Sequence, residues 1–376
     1  MTATDPALRV AVDGHTLGRQ ATGNETYVRG LVGALQARHD VLPTLLLDAD
    51  TRVPPGLDGV RTARLRFRHP IPRLLVELSR SGRRWGADLL HVQYVRPPTS
   101  DVPVVTTIHD ISFERYPRFF RRRTLARLRV TVPWAARHSA AVVTSSHFSR
   151  SDLVERYGVQ PDTVFVTHLA AEPHFRHVPP EASEAVMAEL GVPSGSILCV
   201  GNLQPRKNIP RLFEAYHLLL ARGADVPDLV VVGRRAWLEH EVFRTVERRS
   251  LTERVHFTGF VPDEALPALY SSAAAFVYPS LFEGFGLPIL EAFACGTPTI
   301  TSDAASMPEV AGNAAILVDP LSVEDIAVAI ERVVGDTTLR DELVARGYER
   351  ARQFSWDRTA AGTADAYRFA LAAGRR

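Results

Sequence analysis

SLFEGFGLPILEAFACGTPTITSDAASMPE, residues Ser280–Glu309, sets two carboxylates, Glu283 and Glu291, around a glycine-rich turn that opens a helix. Gly284 and Gly286 let the backbone approach a bound group with no Cβ in the way. The apolar spacing predicts a helix over Leu287–Ala294, whose first-turn N–H groups carry roughly half a positive charge back into the turn. Phosphate suits such a place. A carboxylate does not bind phosphate usefully, so the glutamates need another partner, and sugar hydroxyls can donate to them. The expected ligand therefore carries both phosphate and sugar. The competing explanation is structural: an isolated acid in a first helical turn stabilises the helix dipole by about 0.3–1 kcal/mol and needs no ligand.

Upstream, GNLQPRKN (Gly201–Asn208) directly follows an apolar run, Ile197–Val200, and so falls at the carboxyl end of a strand, where open α/β sheets bind ligands. Lys207 is the only lysine in the chain, against 43 arginines (44 Lys+Arg minus 1). The arginine excess reads as genome composition, while the place of the exception invites a test. VVTTIHD (Val104–Asp110) ends another buried run in His109 and Asp110. An imidazole there can reach a ligand, and its ordinary pKa of about 6.5 suits hydrogen bonding or proton transfer. His91 and Asp13 are lesser candidates of the same kind.

The flanking pattern gives the architecture. Runs at Leu8–Val12, Val41–Leu47, Leu89–Gln93, Val104–Ile108 and Ala140–Thr144 read as strands, with a helix over Glu25–Arg38. A second series begins at Ser196, with strands at Ile197–Gly201, Leu229–Gly233, His256–Thr258, Ala274–Tyr278 and Thr299–Ser302 and a helix over Ile209–Arg222. Short apolar runs between amphipathic stretches imply parallel sheets covered by helices. The restart implies two domains, and the proline-rich, polar stretch Ala170–Gly195 places their boundary near Pro193.

Bulk composition narrows the class. A chain of 376 residues, 45% hydrophobic and 23% charged, is long enough for two cores and belongs to a globular protein. Net charge of +2 excludes little. Cys199 and Cys295 alone cannot build a zinc site and suggest a reducing compartment. The start MTATDPALRVAVDG has no secretory pattern, and no apolar run approaches the ~20 residues that span a bilayer. The expectation is a cytoplasmic protein, with peripheral contact on the inner face of a membrane left open.

The opening segment, continuing through ACGTP and SMPEVAGNAAILVDP, resembles the E-x7-E signature of glycosyltransferase family 4. The resemblance covers nearly the whole chain and is strongest in its second half. It implies a GT-B fold: α/β, two Rossmann-like doubly wound domains facing each other across a cleft. We divide the chain accordingly into an acceptor-binding domain over 1–192, a donor-binding domain over 193–353, and a final helix over 354–376 that crosses back to the first domain. The implied activity is a retaining, metal-independent transfer of a hexose from a nucleotide-diphosphate sugar, with no cofactor. The acceptor would be a hydroxyl of a glycan, a lipid-linked sugar or a small molecule. PRKN with the His109–Asp110 pair looks like the bacterial mannosyltransferase branch that builds surface polysaccharides, which makes GDP-mannose the first donor choice. UDP-glucose, UDP-N-acetylglucosamine and a deoxythymidine-diphosphate sugar remain alternatives.

Residue by residue, the resemblance implies the following roles. Lys207 matches the lysine of the family's diphosphate-binding G-R-x4-K-G turn; Asn202 stands at its arginine and Asn208 at its last glycine, so Arg206 is the nearest replacement guanidinium. Glu283 would bond the donor sugar, Glu291 the ribose, and backbone N–H groups of Phe285, Gly286 and Leu287 phosphate or sugar oxygens. Pro288 has no N–H, so a backbone contact there is lost. Backbone groups of Phe260 and Val261 would meet the base. In the loop DGHTLGRQATGNETY, Gly23 would close over the donor phosphates, although the spacing is not G-x-G-x-x-G. His109 would orient the transferred sugar.

Two further signals compete. Asp48-Ala49-Asp50 has the form of a metal-binding D-x-D, but it follows a strand and reads as a solvated turn. Tyr116–Arg137 carries seven arginines and no acid, with aromatic and leucine residues interspersed. It reads either as an amphipathic helix with a solvated basic face or as a contact for anionic lipid or a lipid-diphosphate acceptor. No motif or strongly basic total supports nucleic acid. Other functions considered are a sugar-nucleotide epimerase or glycoside phosphorylase on the same fold, and a non-catalytic nucleotide-sugar-binding or membrane-associated scaffold.

Overall fold

A computed structural model of the chain describes residues 6–18, 23–67, 69–235 and 240–373. It divides into two compact units: Met1–Arg115, Arg121–Leu169 and Ser355–Arg376 form unit 1, while Tyr116–Phe120 and Ala170–Phe354 form unit 2.

Unit 1 holds a seven-stranded sheet built from β1 (Leu8–Asp13), β2 (Val41–Asp48), β3 (Arg61–Leu65), β4 (Leu89–Gln93), β5 (Val104–Thr107), β6 (Ala141–Thr144) and β7 (Val164–Val166). Unit 2 holds a six-stranded sheet of β8 (Ile197–Val200), β9 (Leu229–Val232), β10 (Val255–Gly259), β11 (Ala275–Tyr278), β12 (Thr299–Ser302) and β13 (Ala315–Val318). Spatial orders are β3-β2-β1-β4-β5-β6-β7 and β10-β9-β8-β11-β12-β13, and every pairing is parallel. Each sheet therefore reverses its winding at one place, between β1 and β4 in unit 1 and between β8 and β11 in unit 2. Crevices open at the carboxyl ends of strands at such reversals. The central strands are buried along their whole length, which is why they read as uninterrupted apolar runs. β3, β7 and β13 escaped the sequence reading: β3, an edge strand, is RTARL and largely exposed, with no two-sided apolar face.

The sequence placed a boundary near Pro193; the compact units divide at Leu169–Ala170. The proline-rich stretch is not a spacer. Its helix Pro180–Leu190 packs on the helix Leu266–Ser272, Val178 N–H donates to Ser271 Oγ at 3.0 Å, and Ser272 Oγ bonds the sulfur of Met187 at 3.3 Å. Proline opens that helix at its first turn, where no intrahelical N–H bond is lost. Tyr116–Phe120 also packs with unit 2: Tyr116 Oη donates to the Leu281 carbonyl at 3.3 Å and its ring stands edge-on to Phe282. The basic stretch Tyr116–Arg137 is thus divided between the two units.

The last helix, Trp356–Ala373, packs within unit 1 against the helix Gly23–Gln36 and against β5, β6 and β7. Tyr367 is fully buried and its Oη lies 2.6 Å from His91 Nδ1. Asp48 closes β2 as a buried residue and Asp50 sits in the exposed turn beyond it. Among the described residues no helix is long and apolar enough to cross a membrane.

Candidate functional site

At the reversal point of unit 2, the chain leaves β8 through Gly201 and a single-turn helix, Pro205–Lys207, and leaves β11 through Pro279 and the glycine-rich turn. Leu281 N–H donates to the Arg206 carbonyl at 2.8 Å and the Asn208 amide donates to the Pro279 carbonyl at 3.0 Å, so the two loops are sewn together. Asn208 has φ +60°, which explains why a residue tolerant of left-handed backbone stands where the family has glycine. Lys207 is 8% exposed. Its Nζ lies 2.8 Å from Glu283 Oε1, hydrogen-bonds the buried Tyr278 hydroxyl, and sits 4.5 Å from the centre of the Tyr278 ring. Arg206 bonds the other oxygen of Glu283 and the Gln204 amide oxygen. Two cations and one carboxylate leave one net positive charge at the ends of β8 and β11.

Burial pushes the Glu283 carboxyl up, but Arg206 and Lys207 outweigh it and bring it down to about 2, so it stays ionised. Burial pulls the lysine below its ordinary value, with Glu283 opposing. Gly201 is required here: φ is +151°, and a Cβ would lie 3.1 Å from Lys207 Cε, in the path of the lysine stem. Beside it, a Cβ on Gly233 would stand 2.1 Å from the Gly201 carbonyl oxygen. The ends of β8 and β9 touch only because neither residue has a side chain.

Gly286, at φ +111°, precedes the helix Leu287–Cys295. The turn before it is pinned from behind by the fully buried Ser306, whose Oγ is 2.8 Å from the Glu283 carbonyl and 2.7 Å from that of Phe285. Glu291 sits one turn into the helix, half-buried, and accepts from Tyr270 Oη at 2.9 Å. Burial pushes its carboxyl up to about 7; the tyrosine bond and Lys207 oppose this, while Asp263 and Glu172 add to it. Glu291 therefore lies within electrostatic reach of both the Lys207 turn and the loop after β10. In that loop Val261 is buried and Phe260 is 51% exposed.

In unit 1, His109 follows β5 and is 8% exposed. Its Nε2 lies 3.3 Å from Gln93 Oε1, at the end of β4, and its carbonyl accepts from Ser149 Oγ at 2.8 Å. With Gln93 presenting an oxygen, Nε2 donates and Nδ1 keeps a lone pair. That Nδ1 is buried and has no partner among the described residues. Burial lowers the imidazole to about 4, so it is neutral near pH 7 and can accept a hydroxyl proton's hydrogen bond. The lesser candidates already have partners. His91 is used at both nitrogens, by Tyr367 and by Thr107 at 2.7 Å, and Asp13 is held by His15 at 3.0 Å and Arg73 at 3.9 Å. Gly23 belongs to the first turn of the helix Gly23–Gln36 rather than to the loop, and a Cβ on it would meet nothing within 4 Å. Residues 19–22 of the loop before it lie outside the described residues.

Two family models match in tandem, "Glycosyltransferase Family 4" over residues 21–175 and "Glycosyl transferases group 1" over residues 189–350. The chain is 35% identical over 265 residues to the O-antigen chain mannosyltransferase B of Escherichia coli, covering 70% of each. The chain belongs to glycosyltransferase family 4.

Other relatives of this glycosyltransferase include the serotype-specific mannosyltransferase WbdA of E. coli, 33% identical over 58% of this chain but only 28% of that longer protein. Its fold is GT-B. Sucrose-phosphate synthase from Thermosynechococcus elongatus superposes with a TM-score of 0.75 at 22% identity, over 97% of this chain and 100% of that one. Anabaena HepE in complex with UDP superposes with a TM-score of 0.73 at 19% identity, over 96% and 99%. Unit 2 of the glycosyltransferase brings Arg206, Lys207, Glu283, Phe285, Gly286, Leu287 and Glu291 to one end of its sheet. Reading the sequence missed Tyr278, Tyr270 and Ser306, which support Lys207, Glu291 and the glycine-rich turn. Two of these are tyrosines at the end of a strand and in a short helix, where aromatic residues ordinarily signal core packing.

Proposed function

We propose that this glycosyltransferase transfers mannose from GDP-mannose, with retention and without a metal, to a hydroxyl of a bacterial surface glycan or its lipid-linked precursor. The observation that supports it most is Lys207: the chain's only lysine is buried at the reversal point of unit 2, between Glu283 and Tyr278, with Arg206 beside it. A net positive site made by side chains can neutralise a departing diphosphate, the task a metal ion performs elsewhere. The mannosyl and surface-glycan parts rest on the relatives' activities.

In this reading Lys207 and Arg206 move from Glu283 towards the diphosphate, which frees the Glu283 carboxylate to accept from sugar hydroxyls. Glu291 accepts from the ribose diol, the backbone at Phe285–Leu287 faces the phosphate or sugar oxygens, and the base meets Phe260 and Val261. In unit 1, His109 offers Nδ1 as the acceptor for a sugar hydroxyl. The bond from the anomeric carbon to the diphosphate oxygen breaks, the acceptor oxygen bonds that carbon from the same face, and its proton passes to the leaving phosphate. The helix Arg122–His138 exposes Arg122, Arg123, Arg127, Arg129 and Val130, a surface suited to anionic lipid.

A thermal-shift panel of GDP, UDP and TDP with their sugars tests the donor. A ligand at about 100 times its dissociation constant stabilises the fold by ~2.7 kcal/mol, so GDP and GDP-mannose should raise the melting point clearly. Mannose transfer to a mannosylated acceptor should then follow in metal-chelated buffer. No shift with any of the three diphosphates overturns the reading.

A further inference from the structure

We infer that Arg234 and Phe260 form the base-recognition element of the donor site and select guanine over uracil. The inference rests on the nucleotide-sugar reading above and adds to it a residue that no sequence motif marks.

The carboxyl ends of β8, β9 and β10 lie side by side, and each contributes one part. Arg234 follows Gly233 at the end of β9. Its N–H donates to Asn202 Oδ1 at 3.3 Å and its carbonyl accepts from Leu203 N–H at 2.9 Å, so its backbone is fixed to the turn that carries Lys207. Gly233 N–H donates to the Gly259 carbonyl at 2.9 Å, which fixes the same residue pair to the end of β10. The side chain points outward along the sheet: its guanidinium carbon stands 4.0 Å over the ring of Phe260. Phe260 is one of the few large apolar side chains left exposed. Among the described residues Arg234 has no carboxylate partner.

Dimensions and chemistry then set the ligand. β8 and β10 are separated by β9, about 10 Å apart at ordinary strand spacing. That is comparable to the reach of a nucleoside diphosphate from its phosphates to its base. Glu291, in the helix that follows the glycine-rich turn and bonded to Tyr270 Oη at 2.9 Å, is the carboxylate offered to the ribose. The far end offers a flat exposed ring and a planar cation lying on it. Guanidinium groups stack on aromatic faces and present a rigid fork of donors. Guanine matches that fork with two adjacent acceptors, O6 and N7; uracil has no such pair. A guanidinium needed only for phosphate would instead face the lysine turn. Asn202, standing where the family has arginine, is occupied in holding Arg234 in place.

Calorimetric titration of the full chain with GDP and with UDP, for wild type, Arg234→Ala and Arg234→Lys, tests this. Wild type should bind GDP at least ten times more tightly than UDP. Arg234→Ala should weaken GDP by about 10–100-fold and UDP by less than threefold. Arg234→Lys, which keeps the charge but not the fork, should recover little of the preference. Unchanged melting points of the unliganded variants will show that the fold is intact. Equal losses for GDP and UDP would make Arg234 a phosphate contact and overturn the inference, as would unchanged GDP binding or a wild type that prefers UDP. If wild type binds no nucleoside diphosphate at all, the donor reading itself fails, and this inference with it.

Discussion

The two units repeat one topology, yet the end of β5 in unit 1 and the ends of β8 and β11 in unit 2 treat charge in opposite ways. In unit 1 burial neutralises the imidazoles: His109 is lowered to about 4 and His91 to about 3, each first by desolvation. What remains at the end of β5 is a neutral acceptor. In unit 2 the comparable strand ends keep their charges, with Glu283 brought down to about 2 between Arg206 and Lys207. A diphosphate suits the second environment and an uncharged hydroxyl the first. The fold supplies the same crevice twice, and the side chains that reach it decide what it can hold.

The comparison breaks most sharply at Glu283. Replacing it by Gln leaves two buried or half-buried cations without their counter-ion, a loss of about 3–5 kcal/mol for a pair broken on one side. Urea unfolding should show it; an unchanged midpoint would mean the triad is slack. Next comes Lys207→Ala, for which kcat should fall by about 10²–10³, with the fold retained because Arg206 still faces Glu283. If only KM rises, the lysine binds ground state and leaving group equally.

Burial favours the neutral form of an acid in unit 2, Glu291, and of two imidazoles in unit 1, and this gives the units opposite pH responses. His91 and His109 have folded values below the unfolded value of about 6.5. Their contribution to unit 1 is whole above that pH and is lost as pH falls towards 4 and 3. Glu291 has a folded value of about 7, above its ordinary 4.5, so it favours the folded state most in acid and that contribution is lost as pH rises from 4.5 through 7. Between pH 6.5 and 4.5, acidification should weaken unit 1 and strengthen unit 2, each by an amount on the order of a kcal/mol or more. Hydrogen exchange resolved by unit measures this, and a common direction in both would contradict it. The smallest expected effect is His109→Ala, about tenfold in kcat at every pH from 6 to 8, as for a lost neutral hydrogen bond. A wild-type profile with a pKa near 6.5 that vanishes in the variant would instead make His109 an acid–base group.

Much of this was legible in sequence because it depends on short-range chemistry. Lys207 after Ile197–Val200, the glycines around Glu283, and His109 after Val104–Thr107 all sit just beyond apolar runs, and parallel sheets put such positions at the ligand end. Misreadings arose where local signals were silent or ambiguous. The prolines before Pro180–Leu190 resembled a linker because their helix gains its stability from packing on Leu266–Ser272. The partners of His91 and Asp13 that lie far along the chain, Tyr367 and Arg73, were likewise invisible in the sequence.

By itself the sequence determined the family, the two-sheet architecture and the main charged groups of the candidate site, since periodicity, glycine placement and strand-end position are written within a few residues of one another. Tertiary structure decided how those groups are used: that Glu283 holds both Arg206 and Lys207, that Tyr270 and Ser306 support the helix and turn, and that Arg234 lies over Phe260. These pairings join residues tens of positions apart, and distance along a chain carries no information about distance in space until the sheet has set its strand order.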